Sequence, residues 1–257
     1  MRRVVAIADT HCGHPTGLTA PDWQWPTAGP TEERSRLAEI QNETWQHYLD
    51  IIEKESPVDG LIHAGDCIDG RTTGRLLITH DREEQCAMAA EAINAWNAPR
   101  VVMVPGTRRH TGDLEKWERL IAIELNADIA SRQFIDVDGL MFGVRHKVGR
   151  SSIPHGKATP LARAAVWNEL LAARGKEPRA QIHLRAHVHY HSAYIDGPNW
   201  MAMTLPALQC STEYGAEECD GEVHWGVVVF DVEDGRLLDW RAHLVEVKAD
   251  QPEVVTL

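Results

Sequence analysis

Carboxylates and imidazoles recur at short spacings in this chain, each time directly after an apolar run. Asp9-Thr10-His11 follows Val4 to Ala8, and Gly65-Asp66-Cys67-Ile68-Asp69-Gly70 follows Leu61-Ile62-His63-Ala64. Gly106-Thr107-Arg108-Arg109-His110 follows Val101 to Val104, His146 follows Leu140 to Arg145, and Ala186-His187-Val188-His189 closes a further run. An ionised Asp has two oxygens that can each accept a separate cation, so Asp66 is a candidate bridge between two metal ions. Carboxylate oxygen and imidazole nitrogen without paired cysteines suit Mn, Fe, Zn or Mg rather than a thiolate structural site. Alternate residues of an extended segment share a face, which predicts that Asp9 and His11, and likewise His187 and His189, point the same way. The smallest arrangement has one ion held by Asp9, His11, Asp66 and one histidine of the later pair. The other ion is held by Asp66, His146 and the remaining histidine.

In this order the motifs resemble those of the calcineurin-like metallophosphoesterases, whose signature runs Asp-x-His, Gly-Asp-x-x-Asp-Gly, Gly-Asn-His, a single His and Gly-His-x-His. The matching span, Val4 to His189, covers most of the chain. The resemblance implies an α/β fold of two packed mixed β-sheets flanked by α-helices, a four-layer sandwich, with a dinuclear site that hydrolyses phosphoesters. It implies Asp9, His11, Asp66 and His189 around one ion, and Asp66, His146 and His187 around the other. The expected cofactors are two divalent ions, manganese first, with Fe, Zn or Mg as alternatives. Ala186 replaces the family's Gly, and the third motif departs further. Thr107 offers a hydroxyl where Asn would give a carbonyl oxygen, and His110, the implied acid for the leaving group, lies two residues late. The altered loop also resembles variants in phage-encoded members.

Asp66 and His110 are thus the expected catalytic residues. Arg108 and Arg109 are expected to bind substrate phosphate in bidentate fashion, with Arg71 and Lys147 as further candidates. Asp69 either orients a ligand histidine or caps its loop. The function favoured is a phosphodiesterase acting on nucleotides or nucleic-acid ends. The alternatives are a phosphomonoesterase or protein phosphatase, and a catalytically silent metal-binding module, which the altered loop would suit.

Composition bounds these readings. At 257 residues and 43% hydrophobic, the chain is expected to form one domain over 1–257, with a loop insertion at about 12–30. A net charge of -12 argues against a broad nucleic-acid surface but not against a local nucleotide pocket. Five cysteines form neither a CxxC pair nor a disulfide framework, which fits a reducing, cytoplasmic setting. Cys12 and Cys67 lie within the candidate loops, where the neighbouring Asp and His are the better ligands. No signal peptide is expected after Met1-Arg2-Arg3, and no apolar stretch approaches the ~20 residues that span a bilayer, so no membrane partner is expected.

The elements that must position the ligands read as follows. Val4 to Ala8 suits a strand buried on both faces. The four prolines and two tryptophans between Cys12 and Pro30 predict an irregular loop, read as a wall or lid over the site. Leu37, Ile40, Thr44, Trp45, Tyr48, Ile51 and Ile52 predict a helix from Thr31 to before Pro57. Asp81-x-x-Glu84 predicts a capping box that opens a helix through Trp96. This strand-helix alternation predicts a parallel sheet with the site at its carboxyl ends. In the second half, Asp138-Gly139, Asp196-Gly197 and Asp234-Gly235 predict hairpins. A last helix is expected with Thr159 as N-cap, Leu161, Ala165, Val166 and Leu170 as its apolar face, and Gly175 as its stop. His14, His47, His63, His80, His224 and His243 read as ordinary core or surface residues.

Overall fold

The apolar runs that precede the candidate ligands form strands, and continuous apolar strands need cover on both faces. The computed structural model describes residues 1–70, 76–149, 153–197, 200–212 and 222–250. Its strands are β1 (Arg2–Ile7), β2 (Gly60–His63), β3 (Val101–Met103), β4 (Asp128–Ile129), β5 (Gln133–Val137), β6 (Leu140–Val144), β7 (Ile182–Arg185), β8 (Ser192–Ile195), β9 (Met201–Thr204), β10 (Trp225–Glu233) and β11 (Arg236–Val245). Its helices are α1 (Glu32–Glu55), α2 (Arg82–Asn94), the single turn α3 (Arg108–Thr111), α4 (Lys116–Glu124) and α5 (Thr159–Ala173). One sheet has the order β11-β10-β1-β2-β3-β4 and the other β5-β6-β7-β9-β8. In the first, β1 to β4 are parallel, with β10 and β11 antiparallel beside them. In the second, β6, β7 and β9 are parallel between antiparallel β5 and β8.

The alternation along β1 shows how the layers stack. Val5 and Ile7 join a core with Ile40, Tyr48 and Ile51 of α1, Met88 and Ile93 of α2, and Ile121 of α4. Val4 and Ala6 face the other way, into a core with Phe142, Leu184 and Met203 of the second sheet. Phe142 and Phe230 meet edge to face across that core at 5.2 Å. On the far side Leu161 and Ala165 of α5 pack against Val188, Tyr190 and Ala202. The expected two mixed sheets flanked by helices are therefore present.

Four local expectations need correction. Residues 12–20 of the segment expected as a wall or lid are packed into the body instead: they are almost entirely buried, Leu18 and Ala20 belong to the first core, and Gln41 of α1 binds Pro15 O and Trp25 N. Half of the capping box forms, because Asp81 accepts from Glu83 N while Glu84 bonds Thr79 instead of returning to the Asp81 N–H. The N-cap of α5 is Ala158, with Thr159 already helical. Val166 and Leu170 are exposed, the buried positions of α5 being Leu161, Ala165 and Asn168. The hairpins at Asp138-Gly139 and Asp234-Gly235 form with positive φ at both residues, as tight primed turns require. Among the described residues no helix is long and apolar enough to cross a membrane.

Candidate metal centre

Parallel strands deliver their carboxyl ends to one rim, and the candidate ligands leave from β1, β2, β3, β6 and β7 at that rim. The chain then turns sharply. Asp9, His11, Asp66, His187 and His189 all have left-handed φ values, from 42° to 79°. Each such non-glycine residue costs on the order of 1–3 kcal/mol and persists only where its surroundings hold it. The Asp9/His11 and His187/His189 pairs thus converge through left-handed turns rather than by strand alternation. Backbone bonds fix them: Asp9 N to Gly65 O at 2.9 Å and His11 N to Asp66 O at 3.1 Å, while His187 N donates to Asp9 Oδ2 at 3.1 Å. Two glycines allow the loops to touch. A Cβ on Gly106 would lie 1.9 Å from Asp66 Oδ1, and one on Gly65, whose φ is +94°, would lie 2.7 Å from Gly106 N.

These turns assemble two groups that could hold an ion, Asp9/His11/His189 and Asp66/His146/His187, each with ligand atoms within 4.8 Å of one another. His11 Nε2 lies 3.3 Å from His189 Nε2, close to the roughly 3–3.4 Å expected between two nitrogens bound to one ion at ~2.0–2.1 Å. His189 Nε2 is 3.7 Å from Asp9 Oδ1, and His146 Nε2 is 3.0 Å from Asp66 Oδ2. A third group joins His11, Asp69 and His110. Asp69 therefore faces the site itself, beyond the orienting or capping role read from sequence. His110 reaches the site although it lies two residues late, because the turn of α3 takes up the extra length at 1.5 Å per residue. Its ring meets that of His11 at 4.6 Å. Thr107 is no simple stand-in for Asn: its backbone N–H reaches Asp66 Oδ1 at 2.6 Å and its hydroxyl reaches the same oxygen at 3.3 Å.

The donor set fits divalent cations. Asp9 Oδ1 and Asp69 Oδ2 are buried without a hydrogen-bond partner among the described residues, an arrangement that is costly unless a cation completes it. Burial pushes His11 well below its ordinary value, His187 down to about 4 and His189 down to about 3, so these rings are neutral and have lone pairs to give. Burial also pushes Asp9 up, with His146 opposing and Asp66 adding to it. Burial alone would raise Asp66, but the charge and hydrogen bond of His146 outweigh it and hold Asp66 well below its ordinary value. Burial alone would lower His146, yet Asp66 pushes it up to about 10. Without metal these two form a buried ion pair, and a cation bound there must displace the proton.

Several supports had no signal in the sequence. Glu118 of α4 is fully buried and ties two loops together, accepting from Cys67 N at 2.8 Å and from Gly106 N at 2.7 Å. Burial and the nearby Asp66 push it up to about 7. His63, read as ordinary, accepts from Gly65 N through Nδ1 at 3.1 Å and so donates to Thr10 Oγ1 through Nε2 at 3.2 Å. His146 Nδ1 donates to Ala64 O at 2.7 Å, which aims Nε2 at Asp66. Cys12 donates to Leu18 O, and burial pushes it up to about 12 and Cys67 well above its ordinary value, so both thiols stay protonated. Arg108 lines a cavity with Thr107, His146 and Lys147 while pairing with Asp113; Arg109 is exposed and outside that lining. Arg71 lies outside the described residues.

No protein-family model matches the sequence, and no curated protein does. Similar solved structures include Vps29 from Entamoeba histolytica complexed with zinc, 13% identical with a TM-score of 0.49, covering 96% of this chain and 99% of that one. An archaeal phosphodiesterase is 12% identical with a TM-score of 0.47, covering 95% and 99%. The 5'-nucleotidase of Candida albicans is 10% identical with a TM-score of 0.44, covering 96% of this chain and 52% of that one.

Proposed function

We propose that the chain is a dinuclear metal-dependent phosphoesterase, folded as one domain over 1–257, that favours phosphodiesters of nucleotides or nucleic-acid ends. The observation that carries this reading is the pair of Asp/His groups on one rim, with Asp9 Oδ1 buried and unpartnered among the described residues. Asp9, His11 and His189, with Asp66 as bridge, would hold one ion. Asp66, His146 and His187 would hold the other, manganese being the first choice. Such ions, when bound, acidify water toward a pKa of ~7 and neutralise charge on phosphoryl oxygens.

The chain's own residues supply the rest. His110 Nδ1 lies 2.6 Å from the Asp69 carbonyl, which can only accept, so Nδ1 carries a proton and Nε2 is the atom that exchanges one. Protonated there, His110 is placed to give a proton to the leaving oxygen, a role worth ~10²–10⁴-fold. Thr107 and Glu118 hold Asp66 and its loop in register, and Arg108 stands at the rim to meet a phosphoryl oxygen. The cavity of about 520 Å³ beside His146 and Thr107 leaves room for the second ester arm of a diester. The described cysteines are buried free thiols, which supports a reducing compartment.

Apoprotein reloaded with Mn²⁺ should take up about two ions per chain and cleave bis-p-nitrophenyl phosphate faster than p-nitrophenyl phosphate. Asp66→Asn should abolish turnover and ion uptake together. One ion or none, with no turnover on either substrate, would refute the reading. A faster monoester would replace it with a phosphomonoesterase.

A further inference from the structure

The outer face of the second sheet carries a cation-rich cavity that the metal centre does not use. It holds about 370 Å³ beneath α5. Phe134, Gly143 and His183 stand opposite one another across β5, β6 and β7, and Arg185 follows on the same face. A Cβ at Gly143 would come within 2.9 Å of the Ala180 Cβ, so only glycine keeps this row open.

Two buried polar side chains line the cavity without full partners. Arg185 is 6% exposed; its Nη1 donates to Gly143 O at 3.0 Å and Leu184 O at 2.7 Å, and it has no carboxylate partner among the described residues. His183 is 1% exposed, and its Nε2 has no hydrogen-bond partner among the described residues. Buried polar groups left in this way are expensive unless a ligand completes them. Arg145, Lys147 and Arg163 line the same cavity, again without a carboxylate partner among the described residues, whereas Arg132 pairs with Glu177. The cavity beside His146 and Thr107 shares Arg132, Arg145 and Lys147 with this one, so a single groove leads from the candidate metal centre to α5.

In a chain of net charge -12, four cations without acidic partners among the described residues in one groove mark an anionic occupant. The aromatic groups narrow the choice. Trp167 is 55% exposed although it lines the groove, and it sits one turn from Arg163 on α5. Half-buried Phe134 lies beside them, with the Arg132 guanidinium 5.5 Å from its ring. Cations that track a backbone, with exposed rings on which bases stack, make up the recognition surface for single-stranded nucleic acid.

We propose that this groove binds the phosphate backbone of a single-stranded nucleic-acid segment, with a base on Trp167 and the strand's end directed to the metal centre. The direction of the end rests on the hydrolase reading; binding itself does not. The test is fluorescence anisotropy of a labelled ten-nucleotide oligothymidylate with full-length protein in EDTA, with tripolyphosphate and ATP as competitors. Four phosphate contacts give a slope of log affinity on log salt of about -2.8, hence about 50-fold weaker binding at 200 mM than at 50 mM salt. Arg163→Ala should flatten the slope by about 0.7, and Trp167→Ala should weaken binding about tenfold with the slope kept. Both side chains are exposed on α5, so the test does not depend on whether Arg185→Gln folds. No strand binding, binding that neither variant alters, or binding of ATP or tripolyphosphate in place of the strand would overturn the proposal. Diester turnover by the wild type with Mn²⁺ is read separately. Turnover without strand binding overturns the groove alone, whereas strand binding without turnover upholds the groove and refutes the hydrolase.

Discussion

Glu118→Gln isolates one consequence of the geometry, because Glu118 touches no candidate ligand side chain yet joins the loops after β2 and β3. Each carboxylate oxygen accepts one backbone N–H, from Cys67 at 2.8 Å and from Gly106 at 2.7 Å. Gln keeps one acceptor and turns an NH₂ toward the other donor. Leaving one buried N–H unsatisfied costs about 1–3 kcal/mol. At this chain length 1 kcal/mol moves the melting temperature by about 2–4 °C, so the metal-free variant should melt about 4–8 °C lower for a loss near 2 kcal/mol. Glu118→Ala strands both donors and should cost roughly twice as much. The Gly106 loop also positions Thr107 on Asp66, so ion affinity should fall about 10–100-fold, as for other groups that orient ligands from behind. Calorimetric melts of the metal-free protein and titration with Mn²⁺ read the two effects independently. Superimposable melts and an unchanged affinity in both variants would refute the view that this carboxylate holds the loops together.

His110→Ala should keep its full metal content and lose ~10²–10⁴-fold in turnover; loss of metal would instead make His110 a ligand. Since Asp66 holds His146 up to about 10, ion uptake should release a proton and affinity should rise with pH up to that value. Isothermal titration in buffers of different ionisation enthalpy reads the release, and buffer-independent heats would contradict it. Far from the site, Glu55 receives Arg241 and His243, and its value is lowered chiefly by the Arg241 hydrogen bond. Asp231 is likewise lowered: burial opposes the shift, but Arg3 and Arg241 outweigh it. Both carboxylates sit below their unfolded values, so their stabilisation is present above about pH 4.5 and is lost as pH falls through the folded values. Glu55→Gln should cost about 2 kcal/mol at pH 7, with the gap to wild type closing in acid. Urea unfolding at both pH values measures it, and a gap independent of pH would overturn the assignment.

The strands that carry the candidate ligands were legible because strands covered on both faces need unbroken apolar runs, and Val4 to Ala8 and Leu61 to Ala64 show them. The hairpins were legible because Asp-Gly is one of the few pairs that accept positive φ twice in succession. Glu118 was not, since a charged residue on a helix looks the same whether it faces water or two backbone amides. The burial of residues 12–20 was hidden by Gly13, Pro15 and Gly17, which mark an irregular path but not where the path runs. Arg185 was hidden by sitting in an alternating strand whose outward face reads as solvent until a helix is laid across it. Val166 and Leu170 misled in the opposite sense: they are apolar residues on the uncovered side of α5.

The left-handed backbone at Asp9, His11, Asp66, His187 and His189 sets stability against chemistry at the same five positions. Glycine there would relax the chain, and each relaxation would remove a candidate donor from the rim. Selection for a tougher protein, in nature or in the laboratory, would therefore erode this rim, and a requirement for bound ions would be what keeps the strained residues in place.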